Sequence, residues 1–172
     1  DKVNLAVIGC GGMGSRHIEA LCDNPNCNIV AVCDVVQTRY NQQQRIVEEK
    51  TGKKPDVYQD FRKVLERPDI DAIFTPTPDH WHALITILAC EAGKDVYVEK
   101  PVCTTIEEGR AMVNAARRYG RVVQAGTQQR SMPIFQQAIE IVHSGQLGQI
   151  ISAGAWIGVN GFSEGETPAP VP

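Results

Sequence analysis

The chain has 172 residues, of which 42% are hydrophobic and 22% are charged, and its formal net charge is −3. This composition is typical of a globular protein, and a chain of this length does not require a second complete domain. The slightly acidic balance, without a basic cluster, argues against nucleic acid as a partner. No apolar run approaches the roughly 20 residues that cross a bilayer, so we expect no membrane span.

Six cysteines are spread along the chain, at Cys10, Cys22, Cys27, Cys33, Cys90 and Cys103. Their spacing is not that of a metal site, so we expect no metal and interpret them as small apolar residues. Cys22 and Cys27 could close a short loop, but a chain of this length needs no disulfide. The cytoplasm is therefore the default compartment. Because the sequence begins at Asp1 rather than methionine, removal of a signal peptide and export to the periplasm is the alternative.

The opening of the chain predicts a strand, a tight turn and a helix. An apolar run over residues 3–8 leads into a G-x-G-x-x-G pattern. In that pattern Gly9 permits the turn, Gly11 lets the backbone approach a pyrophosphate, and Gly14 lets the helix lie close to the strand. The unpaired N–H groups and positive dipole of the helix start favour an anion. The residues expected to bind a dinucleotide here are Gly9, Gly11, Gly12, Met13 and Gly14.

A second apolar run ends at Asp34, at about the 20-residue spacing expected of a carboxylate that binds the adenosine ribose hydroxyls. A 2′-phosphate would bring a second negative charge against Asp34, so this residue favours NAD over NADP. Arg39 is the nearby cation that could relax the preference. The alternative is a flavodoxin-like or other doubly wound domain with a glycine-rich first turn, in which Asp34 is a solvated residue at a strand end.

The rest of the chain alternates between helix and strand, which predicts a parallel sheet. The first βαβ unit is followed by expected helices over residues 38–51 and 61–66 and expected strands over residues 56–59 and 72–75. A helix with Asp79 as its N-cap and Gly93 at its end comes next. Its predicted apolar stripe consists of Trp81, Leu84, Ile85, Leu88 and Ala92.

A strand over residues 96–98 precedes a helix that opens with a capping box of Thr105 and Glu108 and ends at Gly120. Its apolar face is predicted at Met112, Val113 and Ala116. A sixth strand over residues 121–125 and a helix over residues 133–144, ended by Gly145, follow. These elements predict an α/β fold, a doubly wound parallel Rossmann sheet over residues 1–148.

Residues 149–172 are predicted to start a second α/β domain. An extended run over residues 149–159 indicates a strand, and residues 161–172 have the composition of a linker. A long strand with an unpaired edge is an aggregation liability. We therefore expect this strand to join a sheet whose other strands lie outside this sequence, are supplied by another chain, or both.

Three further motifs follow the fourth, fifth and sixth predicted strands, where an open parallel sheet binds its ligands. They are Thr75-Pro76-Thr77-Pro78-Asp79-His80-Trp81-His82, Glu99-Lys100-Pro101 and Gly126-Thr127-Gln128-Gln129-Arg130. The G-x-G-x-x-G turn with T-P-x-x-x-H, E-K-P and G-x-x-x-R resembles the glucose-fructose oxidoreductase, inositol dehydrogenase and rhizopine-catabolism (Gfo/Idh/MocA) family. The resemblance covers roughly residues 3–150.

The resemblance implies an NAD(P)-binding Rossmann domain, followed by an α/β domain that supplies most of the substrate pocket and the interface of a homo-oligomer. It implies that Lys100 is catalytic, lies beside the nicotinamide and binds the substrate hydroxyl, where an ammonium can stabilise a developing alkoxide. Glu99 would orient Lys100 or contact the nicotinamide ribose. The other implied cofactor contacts are Thr75, Pro76, Thr77, Pro78, His82 and Gln128. His80 and Arg130 are the implied substrate contacts.

Several residues of these motifs also have a purely structural explanation. Trp81 is equally well explained as part of a core stripe, and His82 as a helix residue that makes local hydrogen bonds. Gln128 and Arg130 could be polar residues at a strand end, and Lys100 could form a surface salt bridge. The remaining histidines, His17 and His143, are assigned to structure because their helices are expected to lie away from the strand ends.

The function predicted from the sequence is that of an NAD-dependent oxidoreductase acting on a sugar, sugar derivative or cyclitol by hydride transfer. In many members of the family the general base lies beyond the residues present here. One alternative keeps the cofactor and is an NAD-dependent glycosidase or lyase that oxidises a sugar transiently. A second alternative is a non-catalytic NAD-binding sensor. The substrate-facing position implied for Lys100 argues against the sensor.

Overall fold

The structure, a computed structural model, describes residues 2–156. The predicted linker over residues 161–172 and the end of the predicted strand over residues 149–159 lie outside the described residues. The chain divides into two compact units, of which the first ends at Gln128 and the second begins at Gln129. The proposed start of a second domain at residue 149 stays a prediction.

The first unit is a six-stranded parallel sheet with the strand order β3-β2-β1-β4-β5-β6. The predicted doubly wound Rossmann sheet is therefore confirmed. Its strands are β1 Val3–Ile8, β2 Cys27–Cys33, β3 Asp56–Tyr58, β4 Ala72–Thr75, β5 Asp95–Glu99 and β6 Val123–Gly126. Its helices are α1 Gly12–Cys22, α2 Gln37–Thr51, α3 Phe61–Leu65, α4 Asp79–Glu91 and α5 Ile106–Tyr119.

The sheet is covered by helices on both faces because side chains alternate along each strand. In β1, Ala6 and Ile8 belong to the buried cluster that includes the inner faces of α4 and α5. Val7 belongs to a second buried cluster, together with Ile18 of α1 and Val47 of α2. The two cores hold the helices in place, so the turns that precede the helices line one edge of the sheet.

Helix α4 buries only part of the predicted stripe: Ile85 is buried and Leu88 packs against the core. Trp81 and Leu84 of the predicted stripe are 39% and 44% exposed. Pro78, rather than Asp79, is the N-cap, and Gly93 follows the helix with φ +76°, as predicted. The buried face also includes small side chains that the stripe omitted, such as Ala83 and Ala89. The buried residues are His82, Ala83, Ile85, Thr86, Ala89 and Cys90.

Helix α5 has the predicted ends. The Thr105 hydroxyl accepts a hydrogen bond from the Glu108 N–H, the Glu108 side chain accepts one from the Thr105 N–H, and Gly120 ends the helix with φ +62°. Met112 is buried as expected, whereas Val113 is 38% exposed.

The second unit contains a short 3-10 turn at Gln128–Ser131, which begins on the last residue of the first unit, and helix α6 at Pro133–His143. Gly145 follows α6 with φ +77°, as its predicted end requires. Residues 149–156 form no strand, so the strand prediction was wrong over these residues. A strand needs a partner for its backbone ladder, and the six paired strands all lie in the first unit.

Several features are absent from the described part of the chain. The six cysteines are free thiols, so Cys22 and Cys27 do not form the loop-closing disulfide that their spacing allows. Within residues 2–156, no group of three or more His, Cys, Asp or Glu side chains is arranged to hold a metal ion. None of the helices in that range is both long enough and apolar enough to pass through a bilayer.

A buried lysine joins the two connections at the amino ends of β4 and β5. Lys94 is 5% exposed, and its Nζ donates hydrogen bonds to the backbone carbonyls of Arg67 and Ile70, the latter at 2.8 Å. Burial lowers the pKa of Lys94, while Asp69 and Asp71 oppose that shift. The ammonium thereby satisfies two carbonyl oxygens at the point where the chain enters β4.

We expect Lys94→Met to lower the free energy of unfolding by about 2 kcal/mol, because the apolar side chain leaves the two carbonyls without their donor. Urea unfolding followed by circular dichroism measures the loss. Lys63→Met is the matched control, because Lys63 is exposed and its ion pair with Glu66 is screened by water. Equal stability of the two variants would contradict the anchoring role of Lys94.

Candidate functional site

The carboxyl ends of the strands form a crevice at the centre of the sheet. The chain continues from β1 to β2 and β3 on one side and to β4, β5 and β6 on the other. At such a reversal of strand order the flanking turns diverge and leave a binding crevice. The turns that follow β1, β2, β4 and β5 line this edge of the sheet.

Two glycines allow the first turn to form as it does. Gly9 has φ +107°, and a Cβ on it would lie 3.1 Å from the backbone C and O atoms of Pro76. A Cβ on Gly14 would lie only 1.9 Å from the Gly9 carbonyl oxygen. The tight turn expected of Gly9 and the close helix contact expected of Gly14 are therefore both present.

The start of α1 is shaped to receive an anion. Gly11 is the N-cap and no side-chain hydrogen bond caps the helix. A Cβ on Gly12 would have no atom of the described residues within 4 Å, and one on Gly11 would meet only Arg39 Nη1, at 3.9 Å. The first N–H groups of a helix have no intrahelical acceptor, and here they border open space. A cradle of this kind fits the pyrophosphate of a dinucleotide.

Asp34 is buried at the end of β2, with 8% of its surface exposed, so it is not the solvated residue of the flavodoxin-like alternative. Its Oδ2 accepts a hydrogen bond from the Cys10 N–H and its Oδ1 accepts one from the Val36 N–H, both at 2.8 Å. A carboxylate has about four acceptor positions, so two remain for the hydroxyls of a ribose. Asp34 thus connects the glycine turn to the end of β2.

A cavity of about 200 Å³ lies beside Asp34. The ring centroids of Phe61 and Trp81 are 6.2 Å apart in an edge-to-face arrangement on one side of it. Trp81 therefore lines a cavity instead of contributing to a core stripe. The combination of aromatic, cationic and acidic side chains suits the adenosine half of a dinucleotide. Lining residues include Gly9, Asp34, Arg39, Phe61, Thr77, Pro78 and Trp81.

His82 joins the turn after β4 to the turn after β5. It is 1% exposed, with Nδ1 2.7 Å from the Pro101 carbonyl oxygen and Nε2 2.8 Å from the Thr77 carbonyl oxygen. A neutral imidazole donates from one nitrogen only, so both contacts are hydrogen bonds together only in the doubly protonated ring. Because both nitrogens face backbone oxygens, His82 would affect a cofactor through the turns it connects. The Thr77 contact is the local hydrogen bonding of the alternative, whereas Pro101 lies 19 positions further along the chain. A direct contact of His82 with the cofactor stays a prediction.

The turn after β5 presents Lys100 to solvent. Within residues 2–156 its Nζ makes no hydrogen bond, so the surface salt bridge proposed as its alternative is not formed there. Glu99 is buried, and its Oε2 accepts a hydrogen bond from the Lys100 N–H at 2.9 Å. Its Oε1 lies 2.7 Å from His17 Nε2.

The contact with Glu99 corrects the prediction that His17 lies away from the strand ends. His17 is three positions after Gly14, and residues at this spacing share one face of a helix. Since Gly14 already marked the face of α1 that approaches the sheet, the sequence contained the signal that locates His17.

Four further predicted site residues each have different surroundings. Thr75 is buried, and its hydroxyl lies 3.1 Å from that of Thr77. His80 is exposed in the first turn of α4, and Gln128 is exposed after β6. Arg130 belongs to the second unit, where its carbonyl oxygen accepts a hydrogen bond from Gln136 Nε2 at 3.4 Å. The binding roles of these residues stay predictions.

Residues 3–127 match the family model described as oxidoreductase family, NAD-binding Rossmann fold, which corresponds to Gfo/Idh/MocA. The chain belongs to this family. The match covers every strand of the sheet and the motifs that follow β1, β2, β4 and β5. The resemblance recognised from the motifs is therefore confirmed.

Individual proteins are also similar to this chain in sequence or in structure. Oxidoreductase YrbE of Bacillus subtilis is 32% identical over 149 residues, which cover 86% of this chain and 42% of YrbE. A glycosyl hydrolase family 109 protein of Shewanella putrefaciens is 34% identical over 122 residues, covering 69% of this chain and 27% of that protein. The structure of myo-inositol 2-dehydrogenase from Lactobacillus plantarum has a TM-score of 0.78 at 27% identity, covering 88% of this chain and 44% of that chain. The chain thus spans less than half the length of each.

We expect Gly14→Ala to lower the free energy of unfolding by about 3 kcal/mol, because the added Cβ must displace the Gly9 carbonyl. Gly12→Ala adds the same methyl group to the same helix in open space, and we expect it to change stability by less than about 1 kcal/mol. Urea unfolding of both variants measures the difference. Similar stabilities would contradict the close helix contact at Gly14.

Two buried thiols, those of Cys10 and Cys33, lie near the Asp34 carboxylate. Burial, with a smaller contribution from the Asp34 carboxylate, raises the pKa values of Cys10 and Cys33 from 9.0 to about 12. Above pH 9 the unfolded chain releases protons that the folded chain retains, so the free energy of unfolding falls as the pH rises. We expect a loss of about 1 kcal/mol per thiol at pH 10.

Urea unfolding at neutral pH and at about pH 10 measures this loss. The double variant Cys10→Ala/Cys33→Ala removes both thiols, and its stability should fall less over the same interval. An equal fall in the two proteins would contradict the high pKa values.

Proposed function

We propose that the chain is the dinucleotide-binding domain of an NAD-dependent oxidoreductase that acts on a hydroxyl group of a sugar, sugar derivative or cyclitol. An anion cradle, a buried Asp34 and an exposed Lys100 lie along one edge of the parallel sheet, and this arrangement is the main support for the proposed function. Family membership supports the cofactor class, which is NAD(P).

The adenosine half of the cofactor would occupy the cavity beside Asp34. The free acceptor positions of the carboxylate suit the 2′- and 3′-hydroxyls of the ribose. The same carboxylate repels a 2′-phosphate, which favours NAD. Arg39 lines the cavity and carries the positive charge that would reduce the repulsion.

The pyrophosphate would then lie at the start of α1, and the nicotinamide half would extend toward the turns after β4 and β5. Thr77 and Pro78, which belong to the turn after β4, border the cavity. Glu99 and Lys100 follow at the end of the next strand. In this placement the side chain of Lys100 comes beside the nicotinamide, as the resemblance implies.

Lys100 would bind the substrate hydroxyl oxygen through its ammonium group. A general base, which the resemblance places beyond the residues present here, would take the proton of that hydroxyl. As it does so, negative charge develops on the oxygen, and the ammonium stabilises it. When bound, the cofactor supplies the acceptor for the hydride, which leaves the substrate carbon that carries this hydroxyl. A non-catalytic sensor needs the glycine turn and Asp34 but has no use for an exposed ammonium at this position.

Substrate contacts by His80 and Arg130, and assembly into a homo-oligomer through a second domain, belong to the same proposal. A glycosidase that oxidises its sugar transiently is the second candidate, because a glycosyl hydrolase family 109 protein is 34% identical over 122 residues. The gene product that contains this chain can be assayed for both. Net formation of NADH supports the dehydrogenase, whereas release of the glycosidic group without NADH supports the glycosidase.

We expect NAD⁺ to bind at least about tenfold more tightly than NADP⁺, a difference of about 1.4 kcal/mol. Asp34→Asn keeps the shape of the side chain and removes its charge. The variant should therefore bind NADP⁺ more tightly, which reduces the difference between the NAD⁺ and NADP⁺ affinities. Arg39→Ala should weaken NADP⁺ binding more than NAD⁺ binding, because its positive charge offsets that of the 2′-phosphate. Calorimetric titration after removal of bound nucleotide measures all three.

If the folded protein bound neither NAD⁺ nor NADP⁺, the result would contradict the proposed function. A preference that Asp34→Asn leaves unchanged would contradict only the role of Asp34.

A further inference from the structure

Helix α1 and the turn after β5 are joined by one side-chain contact. His17 Nε2 lies 2.7 Å from Glu99 Oε1, and the Glu99 side chain is 4% exposed. A buried carboxylate oxygen needs a hydrogen-bond donor to offset the loss of water. The imidazole supplies that donor when its proton is on Nε2.

The imidazole is held in its orientation by aromatic neighbours. The His17 ring lies 5.5 Å from the Tyr97 ring, nearly edge-on, and 5.7 Å from the Phe74 ring, while those two rings stack at 4.6 Å. Burial, with a smaller contribution from Glu99, raises the pKa of Tyr97. Because the imidazole packs against Phe74 of β4 and Tyr97 of β5, its donor nitrogen is aimed at Glu99.

The other oxygen of Glu99 continues the connection to Lys100. Glu99 Oε2 accepts the Lys100 N–H at 2.9 Å, so one carboxylate joins an imidazole on α1 to the backbone of the residue that presents the ammonium. The connection ends on the helix whose first turn forms the anion cradle. No assignment made from the sequence gives His17 a part in the site.

We propose that His17 is a positioning residue that acts through Glu99 to fix the turn of Lys100 relative to the phosphate-binding end of α1. This inference rests on the proposed function, because it assigns the two ends of the connection to the pyrophosphate and nicotinamide halves of one cofactor. Loss of the imidazole leaves the Glu99 carboxylate with the Lys100 N–H as its remaining hydrogen bond within the described residues. The turn can then shift while the cradle stays in place.

The test compares two ligands on the gene product that contains this chain. ADP-ribose contains the adenosine and pyrophosphate groups, whereas NAD⁺ adds the nicotinamide. We expect His17→Leu to weaken NAD⁺ binding about tenfold and ADP-ribose binding by less than about twofold. A role in folding alone would weaken both ligands equally.

Two further variants complete the comparison. His17→Gln retains an N–H that can reach Glu99, so it should restore most of the NAD⁺ affinity and remain available if the leucine variant fails to fold. His143→Gln, on an exposed position of α6, is the control and should change neither affinity. Equal weakening of both ligands, or no effect of His17→Leu on either ligand, would overturn the inference.

Hydrogen–deuterium exchange at the Lys100 amide separates this inference from the proposed function. We expect faster exchange in His17→Leu than in the parent protein and the His143→Gln control, with or without nucleotide. If the parent binds no NAD⁺, the proposed function fails, and the exchange rate still decides whether His17 fixes the turn. An unchanged rate would overturn the inference.

Discussion

The absence of a side chain at Gly14 is the constraint on which the site depends. The Gly9 carbonyl oxygen occupies the space that a Cβ of residue 14 would take, at 1.9 Å. Helix α1 therefore starts directly at the carboxyl end of β1, and its unpaired N–H groups face the crevice. Any larger residue would displace the helix and the cradle with it. The position of α1 in turn sets the position of His17, one turn further along.

The turns along this edge are held by buried side chains rather than by contacts within each turn. Asp34 joins the glycine turn to the end of β2, and His82 joins the turns after β4 and β5. His17 and Glu99 join the last of these turns to α1. Backbone groups beyond the ends of strands lack ladder partners, so these side chains satisfy some of them and also fix their positions. A site prepared in this way loses less conformational freedom when a ligand binds.

The elements most accurately predicted are those specified by local chemistry. The glycine turn and the glycines that end helices depend on backbone conformations that few residues adopt. The capping box of α5 depends on two side-chain oxygens at a fixed spacing. The buried face of α4 was predicted less well. Its pattern contains large apolar residues on one side and small ones on another, and periodicity alone does not say which side meets the sheet. Ile85 and several smaller residues are buried against the sheet, whereas Trp81 lines the cavity.

By itself, the sequence determined the doubly wound sheet and the dinucleotide turn, because periodicity, glycine positions and spacing are properties of neighbouring residues. Only the tertiary structure decided which side chains meet across elements. His17 and Glu99 are 82 positions apart in the chain and 2.7 Å apart in space. Likewise, His82 meets the Pro101 carbonyl only after α4 and β5 have packed together. Such contacts depend on the relative positions of separate elements, which no local pattern specifies.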